Sequence, residues 1–484
     1  MLVFAVSFTA YLVCGPVFLV YDGDIMYRVS ESLLWQHSVR ITDPLMHLNE
    51  PYATYGPAVS VLLMPLVAAG QLLFHDGGRL TSLYQPAVTA ATVVVVALVA
   101  REIGCSWRTS LGLALLYGFG TLAWDYSNIL FSEPLIALAT VVAFLGLLRF
   151  RNDGSRRWLA AAGGAVALAV LGRTDSLAVV MLPFSGFAFV AVVRASPSWP
   201  VRVRALAAYG LPVAAAILLV LGYDGVRYGG ALRTGYLASG VGFTFPFVRG
   251  FLGLLVSPAA GIFVFMPVLA MAVAGFPGFV RRHRAAAILV ACLVGARLLF
   301  YASWWGWDGG DSWGPRFLVP VLPVLVLPLA FVSRRVPLRV AISALAAMSI
   351  AIELLGQLVS YYTLSLLAAA KPWELATRLP ELRNEFRAGP PVAQGQGGLR
   401  LGRCPAPIST SDLGTARPCS QGLECDRGYR HSSRTAGHER AGCLAAVRAH
   451  RDSSDRSNHV RSGICPRRIG AYAGSHLTQI SPPC

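Results

Sequence analysis

The sequence predicts an all-α, polytopic membrane protein with about eleven transmembrane helices, an external juxtamembrane helix and a disordered C-terminal tail. Of its 484 residues, 55% are hydrophobic and only 13% are charged, and the mean hydropathy is +0.57. Soluble domains carry about 25% charged residues, so a chain this apolar belongs in a bilayer. Apolar runs of roughly 16–22 residues, the length that a helix needs to cross a membrane, recur from Leu2 to Val359.

These runs define the predicted spans. Their bounds are 2–20, 83–100, 109–124, 132–148, 158–173, 177–193, 205–222, 251–273, 286–302, 317–333 and 339–360. The first run has no basic stretch before it and no clean small-residue cleavage site. It therefore predicts a spanning helix and not a removed signal peptide.

The formal net charge of +17 is concentrated in arginine groups between the spans. The groups are Arg101/Arg108, Arg149/Arg151/Arg156/Arg157, Arg194/Arg202/Arg204, Arg281/Arg282/Arg284 and Arg334/Arg335/Arg339. Two apolar runs separate each group from the next, so all of them fall on one side of the membrane, which basic loops mark as cytoplasmic. The charge therefore indicates topology, and no nucleic-acid partner is predicted. We expect a multi-pass protein of the plasma membrane with a cytoplasmic N-terminus.

One further apolar run, Pro57–Phe74, does not fit this alternation. If it crossed the membrane, every later arginine group would fall outside, and the run is short and contains Pro65. We therefore predict a juxtamembrane helix packed on the outer face. The loops that carry acids, tyrosines, tryptophans and glycines then all face outward, and they are Tyr21–Tyr55, Trp124–Phe131, Arg173–Ser176, Tyr223–Gly250 and Tyr301–Arg316.

The first external loop carries Asp22 and Asp24 directly after an apolar run. Two acids at a lipid–water boundary cost free energy unless they are solvated, paired or used. Two interpretations stay open: a solvated loop start, or a carboxylate that serves as a general base or as a metal ligand near a phosphate. The D-x-D spacing does not decide whether a divalent ion binds there.

Two later loops offer partners for these acids. Ser132 and Glu133 open a span as a predicted N-cap and first-turn carboxylate, where the helix dipole alone would favour the acid. Alternatively, Glu133 and Asp125 converge with Asp24 on one external cavity. Arg173 and Asp175 form a tight turn and are expected to pair with each other, although Arg173 could instead support a catalytic carboxylate.

The last two external loops combine glycines with arginines and aromatic residues. Tyr223–Tyr236 is Gly-rich and contains Arg233, but it lacks the spacing of a phosphate loop. In Ser303–Arg316, Trp305 and three more tryptophans could form an interfacial belt or could stack on a sugar or lipid chain. Arg316 opens the next span, where its guanidinium would suit a lipid phosphate, unless it is only a snorkelling anchor.

Several stretches, taken in order, resemble a known family. They are DGDIMYRVSESL, YATYGPAVSVLLMPL, FSEPLIAL, RYGGALRTGY, LLVSPAAGIFVFMPVL and SWGPRFLVPVLPVL. Together they resemble the C-type, polyprenyl-phosphate-dependent glycosyltransferases, in particular the branch similar to protein O-mannosyltransferases (glycosyltransferase family 39-like). The resemblance covers about residues 1–360.

The resemblance implies transfer of a sugar, mannose-like or another hexose or pentose, from a polyprenyl-phosphate carrier with inversion. The acceptor would be a hydroxyl of a protein, lipid or glycan on the extracytoplasmic side. The G-D-x-x-Y match implies that Asp24 is the catalytic base, with Asp22 as the second candidate. Glu133 matches the family's second external acid, and Arg316 and Arg233 match arginines near the carrier phosphate. Ile25 stands where the family often has another acid, and a metal requirement is not carried over.

Two alternatives remain open at this point. A transporter or lipid flippase without transferase activity would need ionisable residues near the middle of spans and an internal repeat. Arg297 and Glu353 are the main central charges, and no repeat is evident. An inactive relative of the glycosyltransferases is the other alternative.

The chain changes character towards its C-terminus. We predict a glycosyltransferase-like transmembrane domain over residues 1–375 and an external tail over 376–484. The tail has no helical or strand period, and its six cysteines, Cys404, Cys419, Cys425, Cys443, Cys465 and Cys484, include no C-x-x-C pair, which disfavours zinc. A disulfide module and an out-of-frame translation from about residue 390 are both compatible with it, and we expect disorder in either case.

Overall fold

The computed structural model describes residues 1–13, 21–41, 51–196, 198–238, 240–310, 312–333 and 335–358. Within these ranges the regular elements are all helical, apart from one isolated bridge between Arg40 and Tyr52. The all-α prediction is therefore confirmed for the described part of the chain. The tail, its six cysteines and the out-of-frame hypothesis lie outside the described residues.

The α-helices are numbered here in chain order. They are α1 Leu2–Val13, α2 Tyr21–Glu31, α3 Ala58–Phe74, α4 Tyr84–Glu102, α5 Trp107–Phe119, α6 Glu133–Asp153, α7 Arg156–Gly172, α8 Leu182–Ala195, α9 Trp199–Tyr228, α10 Gly235–Ala238, α11 Phe247–Val256, α12 Ile262–Phe265, α13 Leu269–Ala302, α14 Leu322–Leu325 and α15 Val336–Leu358. Short π-helical and 3-10 turns extend several of them.

Six helical segments among the described residues are long and apolar enough to cross a membrane. They are Thr81–Glu102, Glu133–Asp153, Leu177–Ala195, Trp199–Tyr228, Leu269–Ala302 and Val336–Leu358. Each overlaps a predicted span, and the chain is a multi-pass helical membrane protein. The predicted total of about eleven transmembrane helices is not confirmed. The helices α1, α5 and α7 are too short to be counted with these six, and residues 14–20 lie outside the described ranges.

The longest of these segments, α13, contains two helices joined at a kink. His283 interrupts it with non-helical backbone angles (φ −136°, ψ 53°). The Phe279 ring lies 5.1 Å from that of Phe331, whereas the Tyr301 ring stacks 4.2 Å from that of Phe317. The kink at His283 lies between the predicted spans 251–273 and 286–302, so it divides α13 where the sequence predicts two separate helices.

The segment predicted to span 317–333 is not a regular α-helix. It consists of 3-10 turns at Arg316–Val321 and Leu327–Phe331 on either side of the short α14. Pro320, Pro323 and Pro328 recur along it, and a proline removes a backbone donor and clashes with the carbonyl one turn earlier. The hydropathy of this segment predicted its burial, but its prolines prevent α-helical geometry.

The bundle has two chemically different ends. We call the end with Glu133, at the start of α6, the carboxylate end. We call the opposite end, where Arg151 lies near the end of α6, the arginine end. The helical rise separates the two residues by about 27 Å. Arg194 and Arg282 line a common cavity with Arg151, so groups predicted to share one side of the membrane do lie together.

Both ends of α3 lie near the carboxylate end. Gly56, just before α3, packs against the backbone of Gly172, the last residue of α7. Three residues after α3 ends, a Cβ atom at Gly77 would meet the hydroxyl of Tyr27, on the helix that carries Asp22. A helix whose two ends lie at one end of the bundle has the geometry that the predicted juxtamembrane helix requires.

Close contact between α7 and α9 depends on Gly163, because a Cβ atom there would collide with the backbone carbonyl of Tyr209. We expect Gly163→Ala to lower the free energy of unfolding by about 1–3 kcal/mol, the usual cost of overpacking. The adjacent Gly164 is the matched control, since a Cβ atom there meets nothing within 4 Å. Gly164→Ala should be neutral or stabilising. Equal thermal unfolding temperatures of the two purified variants would contradict this account of the α7–α9 contact.

Candidate active site

A buried network of charged side chains lies at the carboxylate end and joins residues far apart in the sequence. It contains four of the seven predicted site residues, namely Asp22, Glu133, Arg173 and Arg316. Asp24, Arg233 and Trp305 make no hydrogen bond or ion pair with these four residues.

Arg316 links two carboxylates of the network. Its Nη2 atom donates to Asp22 Oδ2 at 2.7 Å and its Nε atom donates to Glu133 Oε1 at 3.0 Å. The guanidinium also lies 4.3 Å from the ring centroid of Phe131, and a cation above an aromatic face is stabilised there. Tyr55 completes the arrangement by donating its hydroxyl hydrogen to Asp22 Oδ1 at 2.5 Å.

Glu133 is the most enclosed carboxylate of the network, with 1% of its surface exposed. The same oxygen, Oε1, accepts a second bond, from Arg173 Nη1 at 2.9 Å. Glu133 lies in the first turn of α6, as predicted. Ser132 occupies the N-cap position, but its backbone is helical and its side chain makes no capping bond, so the predicted cap is wrong. The two guanidinium groups, and not the helix dipole alone, hold this carboxylate.

Arg173 extends the network to Asp175. Its Nε atom donates to Asp175 Oδ1 at 2.8 Å, which confirms the predicted pair, and Tyr301 donates to Oδ2 at 2.6 Å. Burial acts to raise the pKa of Asp175, but the charges of Arg173 and Arg297 outweigh it and hold the pKa below its ordinary value. Asp175 is therefore ionised at neutral pH.

The charges of the network balance, because Asp22, Glu133 and Asp175 face Arg173, Arg297 and Arg316. Buried charges are tolerated when they are paired and hydrogen-bonded, whereas a single removal leaves an uncompensated charge. The pair with the greatest exposure is Arg316 with Asp22, whose side chains are 12% and 15% exposed. An incoming anion would reach this pair before the others.

Asp24 lies outside the network because the predicted loop is helical at its start. In α2, side chains two residues apart point to nearly opposite faces, and pairs four residues apart stabilise the helix: Arg28 Nε with Asp24 Oδ2 at 2.8 Å and Tyr27 with Glu31 at 2.6 Å. Asp24 Oδ1 makes no hydrogen bond with any described residue. One oxygen of Asp24 is thus held and the other is available.

The tryptophans of the last external loop are mostly structural. Trp304 packs edge-on against Tyr236 and Phe243, and Trp313 packs edge-on against Phe265. Trp305 is the exception, with 55% of its surface exposed. Among the predicted stacking residues it alone keeps a face available to a sugar or lipid. Arg233 is also exposed and makes no ion pair with any described residue.

Asp125 does not converge with Asp24 as proposed from the sequence. It is buried and faces Glu353 of α15, and the Gln357 side chain donates to its Oδ1 atom at 3.4 Å. Asn128 in turn donates to Gln357 at 2.7 Å. Glu353, a central charge in the transporter hypothesis, is therefore part of a contact between α15 and the loop before α6.

This contact predicts a pH dependence of stability. Burial raises the pKa of the Asp125 carboxyl to about 7 from 3.8. Between these values the folded protein binds more protons than the unfolded chain, so the free energy of unfolding should fall as pH rises from about 4 to about 7. Asp125→Asn should reduce this slope in thermal unfolding of the purified protein. An unchanged slope would contradict a protonated Asp125.

Sequence reasoning missed the two tyrosines that complete the network, Tyr55 and Tyr301. Tyrosines are common at membrane interfaces, so neither carried a signal. Arg297, noted only as a central charge, donates to the carbonyl oxygen of Phe317 at 2.8 Å and lies 4.0 Å from Asp175. Within the described ranges, no group of three or more His, Cys, Asp or Glu side chains is arranged to hold a metal ion.

Comparisons with known proteins do not assign the chain to a family. No model of a protein family matches the chain, and no curated protein is significantly similar to it. Among solved structures, it is similar to ArnT from Cupriavidus metallidurans in the apo state, with a TM-score of 0.47 and 17% identity over 68% of this chain and 58% of that one. The chain thus spans less than two thirds of that protein.

ArnT from the same organism bound to undecaprenyl phosphate is also similar, with a TM-score of 0.46 and 16% identity. That alignment covers 80% of this chain and 71% of the other. With TM-scores below 0.5 and identities below 25%, these two likenesses do not assign a family or an activity to this chain. The chemistry of this protein therefore has to be inferred from its own residues.

Proposed function

We propose that this protein is a membrane glycosyltransferase that transfers a sugar from a polyprenyl-phosphate carrier to an acceptor hydroxyl at the carboxylate end. The observation that carries the proposal is the arrangement of Arg316 between Asp22 and Glu133. It combines a guanidinium suited to phosphate, nearby carboxylates suited to proton transfer, and apolar helices that can accommodate a lipid.

Arg316 is the proposed ligand of the carrier phosphate. Arginine binds phosphate and carboxylate through the same planar fork of N–H donors. Glu133 fixes the Nε edge of the guanidinium, while Nη2 is bound to the more exposed Asp22. A phosphate would replace the Asp22 carboxylate on Nη2 without disturbing the buried bond to Glu133.

Asp24 is the proposed general base, and Asp22 is the alternative. Asp24 Oδ1 is available to accept a proton, whereas both oxygens of Asp22 are already bound, one by Tyr55 and one by Arg316. As the acceptor oxygen forms its bond to the anomeric carbon, its proton passes to the carboxylate and the bond from that carbon to the phosphate oxygen breaks. The leaving polyprenyl phosphate keeps the negative charge beside Arg316.

The sugar and the acceptor are proposed as chemical classes. The sugar is a mannose-like sugar or another hexose or pentose, and the acceptor is a hydroxyl of a protein, lipid or glycan. Trp305 is the proposed stacking residue and Arg233 a second contact to the donor. The arginine groups support a plasma membrane orientation in which the N-terminus is cytoplasmic and the carboxylate end is extracytoplasmic.

The alternative of a transporter or flippase has less support. Its main central charges are Arg297 and Glu353. Arg297 lies within two helical turns of the end of α13 and contacts Asp175, and Glu353 contacts Asp125. Charges held in this way do not form a pathway across the bilayer.

The two functions can be separated by the fate of the bond between sugar and phosphate. We expect purified protein, given a polyprenyl-phosphate sugar and a membrane extract that supplies acceptors, to release free polyprenyl phosphate only when the extract is present. A flippase would move the donor lipid across a vesicle membrane and leave this bond intact. Donor movement without any release of free carrier would overturn the transferase proposal.

A further inference from the structure

A second charged feature lies at the arginine end, where a cavity of about 600 Å³ opens between α4, α6, α8 and α13. Its basic lining consists of Arg151, Arg194, Arg282 and Arg284, on three of these helices. It lies about 27 Å along α6 from Glu133. The carboxylate network and the proposed donor phosphate therefore have no part in it.

The cavity has a positive charge that the described residues do not neutralise. Glu102 is the one carboxylate in its lining, and Arg149 and Asn152 already hold it, at 3.2 and 2.6 Å. Within the described ranges, Arg194 and Arg284 make no ion pair. The carboxyl ends of α4, α6 and α8 contribute about half a negative charge each, less than the four guanidinium groups require.

Part of the cavity lining is apolar. Ile103, Leu148 and Ile288 belong to its lining, and Ile288 is 50% exposed. On α8, the apolar side chains of Phe189 and Val193, within two turns of Arg194, are also exposed. Guanidinium groups together with aliphatic surface match a molecule with an anionic head and hydrocarbon chains.

We propose that this cavity binds the phosphate headgroup of an anionic phospholipid in the membrane leaflet opposite the carboxylate end. Arginine forks suit phosphate, and basic pockets between transmembrane helices on the cytoplasmic side bind anionic headgroups. The volume falls in the range of small-molecule sites, about 300–1,000 Å³. The bound lipid would join α6 and α8 to both halves of α13 beside the turn at His283.

The test compares two double variants of the full chain that lose the same charge on the same side. Arg194→Gln with Arg284→Gln removes cavity arginines, whereas Arg204→Gln with Arg335→Gln removes exposed arginines outside the cavity. Binding of phosphatidylglycerol is measured by native mass spectrometry from neutral detergent, with phosphatidylcholine and inorganic phosphate as separate additions. We expect at least tenfold weaker phosphatidylglycerol binding in the cavity variant and less than a twofold change in the other.

Equal loss of phosphatidylglycerol binding in both variants would overturn the proposal, since the arginines would then act only through overall charge. Displacement of the lipid by an equal concentration of inorganic phosphate would also overturn it, because the site would then hold a free anion. If the glutamine variant fails to fold, Arg194→Lys with Arg284→Lys keeps the charge and loses the forks. It should still weaken binding severalfold, and unchanged binding would contradict the proposal.

Discussion

Asp24→Asn is expected to lower the rate of sugar transfer by about 10²–10⁴-fold, the usual contribution of a general base. Asparagine keeps the size of the side chain but cannot take the proton of the acceptor hydroxyl. Asp24 is only paired with Arg28 within α2, so the variant should insert into the membrane and fold like the wild type. The measurement is the initial rate with saturating donor, compared at equal amounts of monodisperse protein.

Asp22→Asn is the matched control, because the two acids lie on the same helix and bear the same charge. Loss of the Asp22 carboxylate frees Arg316 Nη2 from a competing anion, so donor binding should tighten or stay unchanged. The maximal rate should fall much less than it does in Asp24→Asn. The reverse order of the two rates would transfer the role of base to Asp22. Full activity in Asp24→Asn would refute its assignment.

Arg316→Ala is expected to have the second large effect, on both activity and stability. Loss of one preorganised electrostatic contact to a leaving group typically costs about 10²–10³ in rate. The same change leaves Asp22 without its cation and Glu133 with Arg173 alone. Breaking a buried ion pair from one side costs about 3–5 kcal/mol. A lower unfolding temperature should therefore accompany the loss of transfer.

Two further variants separate these effects. Arg316→Lys keeps the charge without the fork, so it should restore most of the stability but little of the activity. Arg233→Ala removes an exposed arginine outside the network and should change the donor KM by at most a few fold. If Arg316→Lys restored transfer completely, the planar guanidinium of Arg316 would not be needed to bind the phosphate, which would contradict its proposed role.

Much of the architecture could be predicted because membrane helices follow directly from hydropathy and charge. Runs such as 83–100 and 132–148 match α4 and α6 closely, and members of three of the five arginine groups line one cavity at one end of the bundle. Hydropathy did not predict the backbone geometry of 317–333, where prolines impose 3-10 turns on a buried segment. The polar stretch after Tyr21 was expected to be a loop because it interrupts the apolar runs. It begins as a helix instead, and two i,i+4 pairs, Asp24 with Arg28 and Tyr27 with Glu31, support that helix.

Several residues of the candidate site could be predicted from the sequence, but the contacts between their side chains could not. Motif order selected Glu133 and Arg316, which do meet, although 183 positions separate them in the chain. The sequence could not show that Asp22 and Asp24 point to different faces, since that depends on the helical conformation of α2. Nor could it show that Asp125 faces Glu353, because a contact between loop and distant helix leaves no local pattern.

The claim of transferase activity is tested most directly by donor profiling. Purified wild-type protein and Asp24→Asn are incubated with a panel of radiolabelled polyprenyl-phosphate sugars and a membrane acceptor fraction, and label is followed from the lipid into acceptor. We predict transfer from at least one donor by the wild type and a loss of at least a hundredfold in the variant. Equal transfer by the two proteins, or none from any donor by the wild type, would contradict the account.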